Sequence, residues 1–142
     1  MPIRKASAVW KGKLKDGRGT VKLGSGLFEG PYSFSSRFEE GPGTNPEELL
    51  GAAHAACFSM ALSGGLTQAG FAPTSISTRA QVTIALVGQG FKITRIDLDT
   101  EAVAPGIEPT RFQELAEQAK VNCPVSQALR ATEITLRAKL VS

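Results

Sequence analysis

Three side chains in this sequence are suited to nucleophilic, redox or metal chemistry: Cys57, Cys123 and His54, the single histidine. Two cysteines are too few for a secreted disulfide scaffold, which leaves buried bystanders, metal ligands or redox groups. Cys123 stands directly before Pro124, at the N-cap position of a short helix read over 124–130. Free backbone N–H groups and the positive dipole end favour a thiolate there. A small side chain filling the start of a helix suits the position equally well. Cys57 lies inside a longer helix, twelve residues past Asn45 and hence ~18 Å from the helix start. The dipole has faded at that distance, and apolar surroundings raise a thiol above its ordinary pKa of ~8.5. A reactive Cys57 therefore needs a cation that its own helix does not offer, and on the residues alone it reads as a buried structural cysteine. His54 precedes Cys57 by three residues and shares its helical face. Three mixed ligands without a CxxC or HxxxH pair are weak grounds for a metal site, so a packed, hydrogen-bonded imidazole is the plainer reading.

The helix that must position Cys57 has a well-marked start. Asn45 is a favoured N-cap, Pro46 suits the first helical position, and Glu48 completes a capping-box-like spacing. The helix predicted from there runs through Leu62 and ends near Gly64-Gly65 or Gly70, ahead of Pro73. It carries no charge after Glu48, so burial around most of its circumference is expected. Upstream, residues 6–14, 20–23, 27–28 and 32–34 read as strands, and 35–43 as a polar loop. Downstream, 78–87 and 91–104 alternate about Gly88-Gln89-Gly90 as a long hairpin. Residues 109–121 carry a helical pattern, with Phe112, Leu115, Ala116 and Ala119 on one face, and 133–141 closes as a strand. This order predicts an α+β fold with largely antiparallel sheet. No linker or repeat divides it, so residues 1–142 are expected to form one domain.

Composition narrows the partners. Apolar residues make up 42% and charged residues 20%, an ordinary globular balance. The net charge of +3 is dispersed, without a dense basic run or aromatic-basic interleaving, so no nucleic-acid partner is expected. Residues 1–12 lack the apolar core of a secretory signal. The most apolar stretch, 49–66, is interrupted by His54, Ser59 and Ser63, so no membrane span is expected either. The expectation is a soluble, cytoplasmic protein.

Longer strings then carry a resemblance. Residues 44–62, TNPEELLGAAHAACFSMAL, and 122–129, NCPVSQAL, resemble the two cysteine motifs of the OsmC/Ohr family, the osmotically inducible and organic-hydroperoxide-resistance proteins. Residues 31–39, PYSFSSRFE, and 103–107, VAPGI, resemble the osmotically inducible branch, and the likeness covers nearly the whole chain. It implies an OsmC-like fold with antiparallel sheets around a long buried central helix, in an intertwined homodimer with active sites at the interface. It also implies a peroxidase that reduces organic hydroperoxides without a metal, haem or flavin cofactor. Cys57 falls on the peroxide-attacking cysteine, Cys123 on the resolving one, and Glu47 on the glutamate that positions a catalytic arginine. Arg37 matches that arginine in the osmotically inducible branch, while the other branch places it in the first hairpin, where this chain has Arg18.

On this resemblance the missing cation is an arginine, which stays charged and donates in a fork. The thiolate of Cys57 attacks a peroxide oxygen, an alcohol leaves, and the sulfenic acid condenses with Cys123 to a disulfide. A dithiol reductant, lipoyl-based in the family, then restores both thiols. Glu47 and Cys57 lie ~15 Å apart along one helix, which suggests two antiparallel central helices crossing near Ala52, among Gly51, Ala52 and Ala53, with each site completed by the partner. The apolar neighbours Ala53, Phe58, Met60, Ala61 and Leu62 favour organic hydroperoxides over hydrogen peroxide. Two other classes remain open: a non-catalytic binding or structural dimer with accidental cysteines, and a thiol-based redox or metal sensor using His54.

Overall fold

Alternation and tight turns shape the N-terminal part of the chain, Met1–Leu49, which in the computed structural model of residues 1–142 is one of two compact units. β1 (Ala6–Lys11), β2 (Arg18–Leu23) and β3 (Glu29–Tyr32) form an antiparallel sheet in the order β1-β2-β3. Trp10 lies against Tyr32 with ring centroids 5.5 Å apart. Gly19 sits beneath that pair, where any Cβ would collide with the Tyr32 ring. Residues 27–28, expected as a strand, precede β3 instead, and the chain turns helical where an extended segment and loop were expected. α1 (Phe34–Phe38) is a single turn opened by a capping box between Ser33 and Ser36. It is further supported by the Phe34–Phe38 ring contact, with centroids 5.0 Å apart one helical turn along the chain.

α1 is fastened to the start of the next helix. The buried Ser36 donates its hydroxyl to the Thr44 carbonyl at 2.7 Å, and Asn45 Nδ2 donates to the Ser36 carbonyl at 3.0 Å. Asn45 Oδ1 meanwhile accepts from the Glu48 N–H at 2.7 Å, the expected N-cap of α2 (Pro46–Gln68). Gly64 and Gly65 lie within α2, and the chain leaves it at Gly70, whose φ of 95° suits a glycine terminator.

The second unit, Leu50–Ser142, holds the buried core. β4 (Ser75–Val87) and β5 (Gly90–Val103) form the long hairpin, turning at Gly88 with φ 63°. α3 (Pro109–Asn122) and α4 (Pro124–Ala128) follow, and β6 (Glu133–Leu140) returns alongside β5. β6 runs parallel to β5, the one departure from antiparallel pairing between the strands of the two sheets. The two helices between β5 and β6 are the crossover that a parallel pair requires. One face of the sheet, with Ile96, Leu98 and Ala102, packs with Phe58, Leu62 and Leu66 of α2 and with Phe112, Leu115, Ala116 and Ala119 of α3. A polar ladder joins helix to sheet: Ser59 Oγ meets Thr78 Oγ1 at 2.7 Å, which meets the buried Thr100 Oγ1 at 2.9 Å.

Two expectations about α2 need correcting. Its length and composition are sufficient to cross a membrane, despite His54, Ser59 and Ser63. In the fold His54, Ser59 and the buried Phe58, Leu62 and Leu66 bind it into a protein core. Nor is it buried on most of its circumference. Ala52, Ala53, Ala56 and Met60 lie open on the face turned away from that core, with Met60 77% exposed. Absence of charge reads as burial all round, but this chain covers only one side of the helix.

Candidate active site

α2 and the α3–α4 junction bring the two thiols together. Cys57, half-buried on α2, and Cys123, fully buried, face each other with their sulfurs 3.0 Å apart, both unoxidised. Cys123 is the N-cap of α4, and its sulfur accepts the Ser126 N–H at 3.4 Å. Burial pushes the Cys123 thiol up, but hydrogen bonds from Cys57, from the Ser126 backbone and hydroxyl, and from the Val125 N–H outweigh it. Its pKa lies below the ordinary value. Cys57 goes the other way: burial raises it, contact with Cys123 raises it further, and the Val125 N–H opposes them only in part. Two sulfurs at this distance titrate as a coupled pair, and nothing cationic acts on Cys57 from this unit. Within the pair Cys123 is therefore the more readily ionised thiol.

The other expected pair forms in the N-terminal unit. Because Ser36 and Asn45 lock α1 to the start of α2, Arg37 faces Glu47 across the turn. Its Nε donates to Oε1 at 3.1 Å and its Nη2 to Oε2 at 3.0 Å, a two-pronged fork. The Glu47 side chain is only 7% exposed and that of Arg37 37%, so the carboxylate is sheltered and the guanidinium keeps an open edge. Arg37 also stacks over Phe38 at 5.1 Å. A cavity of about 230 Å³ opens beside it, lined by Trp10, Leu14, Tyr32, Phe34 and Phe38. Arg18, the alternative arginine, lies exposed on β2, pairing in register with Lys11.

The structure thus joins Cys57 to Cys123 and Arg37 to Glu47, while α2 carries a member of each pair. His54 is not beside a sulfur as a ligand. It is fully buried and hydrogen-bonded through Nε2 to Ser126 Oγ at 2.6 Å. No three His, Cys, Asp or Glu side chains cluster closely enough to hold a metal ion. Sequence reasoning passed over Ser126 and the aromatic cavity. The third position after an N-cap was a usable signal for Ser126, but nothing in the spacing of Trp10, Tyr32 and Phe34 announces that they share a wall.

Two contacting free thiols at a helix start thus sit within an α+β fold built on one long apolar helix. Residues 39–138 match the OsmC-like protein family, and the chain belongs to that family. It is 54% identical over 140 residues to peroxiredoxin OsmC of Escherichia coli K12, covering 98% of this chain and 97% of the relative. It is 34% identical over 98 residues to an organic hydroperoxide resistance protein of Xanthomonas axonopodis, covering 68% of this chain and 67% of that one. Among solved structures, an OsmC-like protein of Mycoplasma pneumoniae superposes with a TM-score of 0.78 at 16% identity, covering 99% of both chains. An organic hydroperoxide resistance protein of Elizabethkingia anophelis gives 0.67 at 26% identity, over 98% of this chain and 96% of its own.

Proposed function

We propose that this protein is a thiol peroxidase that reduces organic hydroperoxides to alcohols. The observation that carries the reading is the 3.0 Å contact between Cys57 and Cys123. Two free thiols in contact on rigid elements need no rearrangement of the chain to become a disulfide. Family membership and the likeness to a peroxiredoxin support the same chemistry. Cys57 attacks the peroxide as thiolate, the alcohol leaves, and Cys57 becomes a sulfenic acid. Cys123 then displaces water from it, and a dithiol, of which a lipoyl group is one kind, reduces the disulfide.

Because Cys57 lacks a cation in its own unit, Arg37 supplies one, held in its fork by Glu47. The two units then act as one functional domain of a cytoplasmic homodimer. The open stripe Ala52, Ala53, Ala56 and Met60 is where the second copy packs. Gly51 is not part of that contact, since it is buried against Val82 and Ala80 of its own chain.

The aromatic cavity beside Arg37 favours substrates with hydrocarbon to bury. Two or three buried carbons gain roughly 2 kcal/mol over hydrogen peroxide, about thirtyfold in kcat/KM if the contact persists in the transition state. Cumene, tert-butyl and hydrogen peroxides, compared with one dithiol in excess, test this. The expected order places the two organic peroxides first; equal or better turnover of hydrogen peroxide would remove the cavity from the account of specificity.

A further inference from the structure

His54 is a buried imidazole with no part in the steps above. Its side chain is 0% exposed, Nε2 lies 2.6 Å from Ser126 Oγ, and Nδ1 has no hydrogen-bond partner. Burial alone acts on its pKa and lowers it, so the ring is neutral near neutral pH. One proton must then be assigned to one of two nitrogens. On Nδ1 it would leave an orphaned N–H inside the protein; on Nε2 only an unpaired lone pair remains, and orphaned N–H groups are the rarer of such defects. Nε2 is therefore the donor and Ser126 Oγ the acceptor, which leaves the Ser126 hydroxyl proton free for another partner.

That partner is close at hand. Ser126 is 3% exposed, its N–H already points at Cys123 Sγ at 3.4 Å, and its hydroxyl, on the same residue, helps hold the Cys123 thiol below its ordinary pKa. We propose that His54 and Ser126 are positioning residues for the resolving half of the reaction, with His54 orienting the Ser126 hydroxyl so that it donates to the Cys123 thiolate. This rests on the peroxidase reading. In the step concerned, Cys123 sulfur attacks the sulfenic sulfur of Cys57. The S–S bond forms, the S–O bond breaks, and the departing hydroxide combines with the proton given up by Cys123 to leave as water. The groups acting on Cys123 are Cys57, Ser126 and Val125, with no charged side chain among them, so His54 acts only through Ser126.

The decisive measurement is the ultraviolet titration of the Cys123 thiolate in a Cys57→Ser background, where no peroxide is needed. Ser126→Ala should lower the thiolate fraction at a fixed near-neutral pH by about tenfold, the effect of one hydrogen bond to a charged group. His54→Leu should lower it in the same direction. His54→Gln, whose amide N–H can occupy the place of Nε2–H, should recover most of it, which a purely space-filling role would not require. With Cys57 intact, Ser126→Ala should slow disulfide formation relative to capture of the peroxide's oxygen, so that more sulfenic acid is trapped by dimedone. An ionisation of Cys123 unmoved by Ser126→Ala overturns the proposal, and because that variant removes a single oxygen it decides alone should His54→Leu fail to fold. Wild-type protein that forms neither sulfenic acid nor disulfide overturns the peroxidase reading instead, a result the titration does not mimic.

Discussion

At the scale of single residues, the fork between Arg37 and Glu47 is a geometry that lysine cannot copy. Arg37→Lys should lose about 2 kcal/mol of transition-state stabilisation, a roughly thirtyfold fall in kcat/KM, while Arg18→Ala stays near wild type. The sign of the pH dependence follows from Cys57. Burial already raises its thiol, and a cation favours the charged form. Removing the cation with Arg37→Ala should therefore move the midpoint of the pH–rate profile upward, with activity partly recovered in alkaline buffer. Cys57→Ser should abolish turnover, and Cys123→Ser should consume about one peroxide per site before stalling. Mass spectrometry of peroxide-treated wild type should find one intrachain Cys57–Cys123 bond; an interchain bond would contradict the assigned cycle.

At the scale of elements, the helix carrying Cys57 was legible because its punctuation is local. Asn45 caps the helix through the Glu48 N–H and Pro46 takes its first position, while the Glu48 carboxylate accepts from the Thr44 hydroxyl instead of closing a capping box. Cys123 before Pro124 is equally local, and its sulfur caps α4. α1 was not legible, since its capping box uses Ser36 in place of Glu or Gln and its five residues are too few for the single Phe34–Phe38 spacing to stand out as a period. Its hold on α2 comes from Ser36 and Asn45, nine residues apart, a contact that only the folded turn creates. The thiol contact spans 66 residues, and α-helical spacing says nothing across such a gap; only the family resemblance paired those cysteines. Asn45 performs two of these tasks, capping α2 and gripping α1. Asn45→Ala should thus destabilise the protein by about 1–2 kcal/mol in denaturant titrations and lower activity with it, beyond what loss of a cap alone would do.

At the scale of the whole molecule, the open apolar face of α2 predicts assembly. Ala52, Ala53 and Ala56 are small enough for a second helix to approach closely, so an Ala56→Glu variant should shift the protein toward monomer in sedimentation and lower its activity. If each site takes Glu47 from one chain and Cys57 from the other, mixed Cys57→Ser and Glu47→Ala protomers should regain one working site per heterodimer. No recovery in verified heterodimers would count against shared sites.

The long chain separation between the two sulfurs has a thermodynamic side as well. A bond between Cys57 and Cys123 would close a loop of 66 residues, tying the core helix to the crossover between β5 and β6. In the chain-entropy description, such a closure disfavours the unfolded ensemble by about 4 kcal/mol. The oxidised protein should therefore melt several degrees above the reduced one, with the gap vanishing in Cys123→Ser. The same energy enters the redox balance: a fold that gains about 4 kcal/mol from its disulfide holds that bond roughly 90 mV more firmly than an unfolded chain would. Each catalytic turn would then tighten the molecule, and only a strongly reducing dithiol could loosen it again.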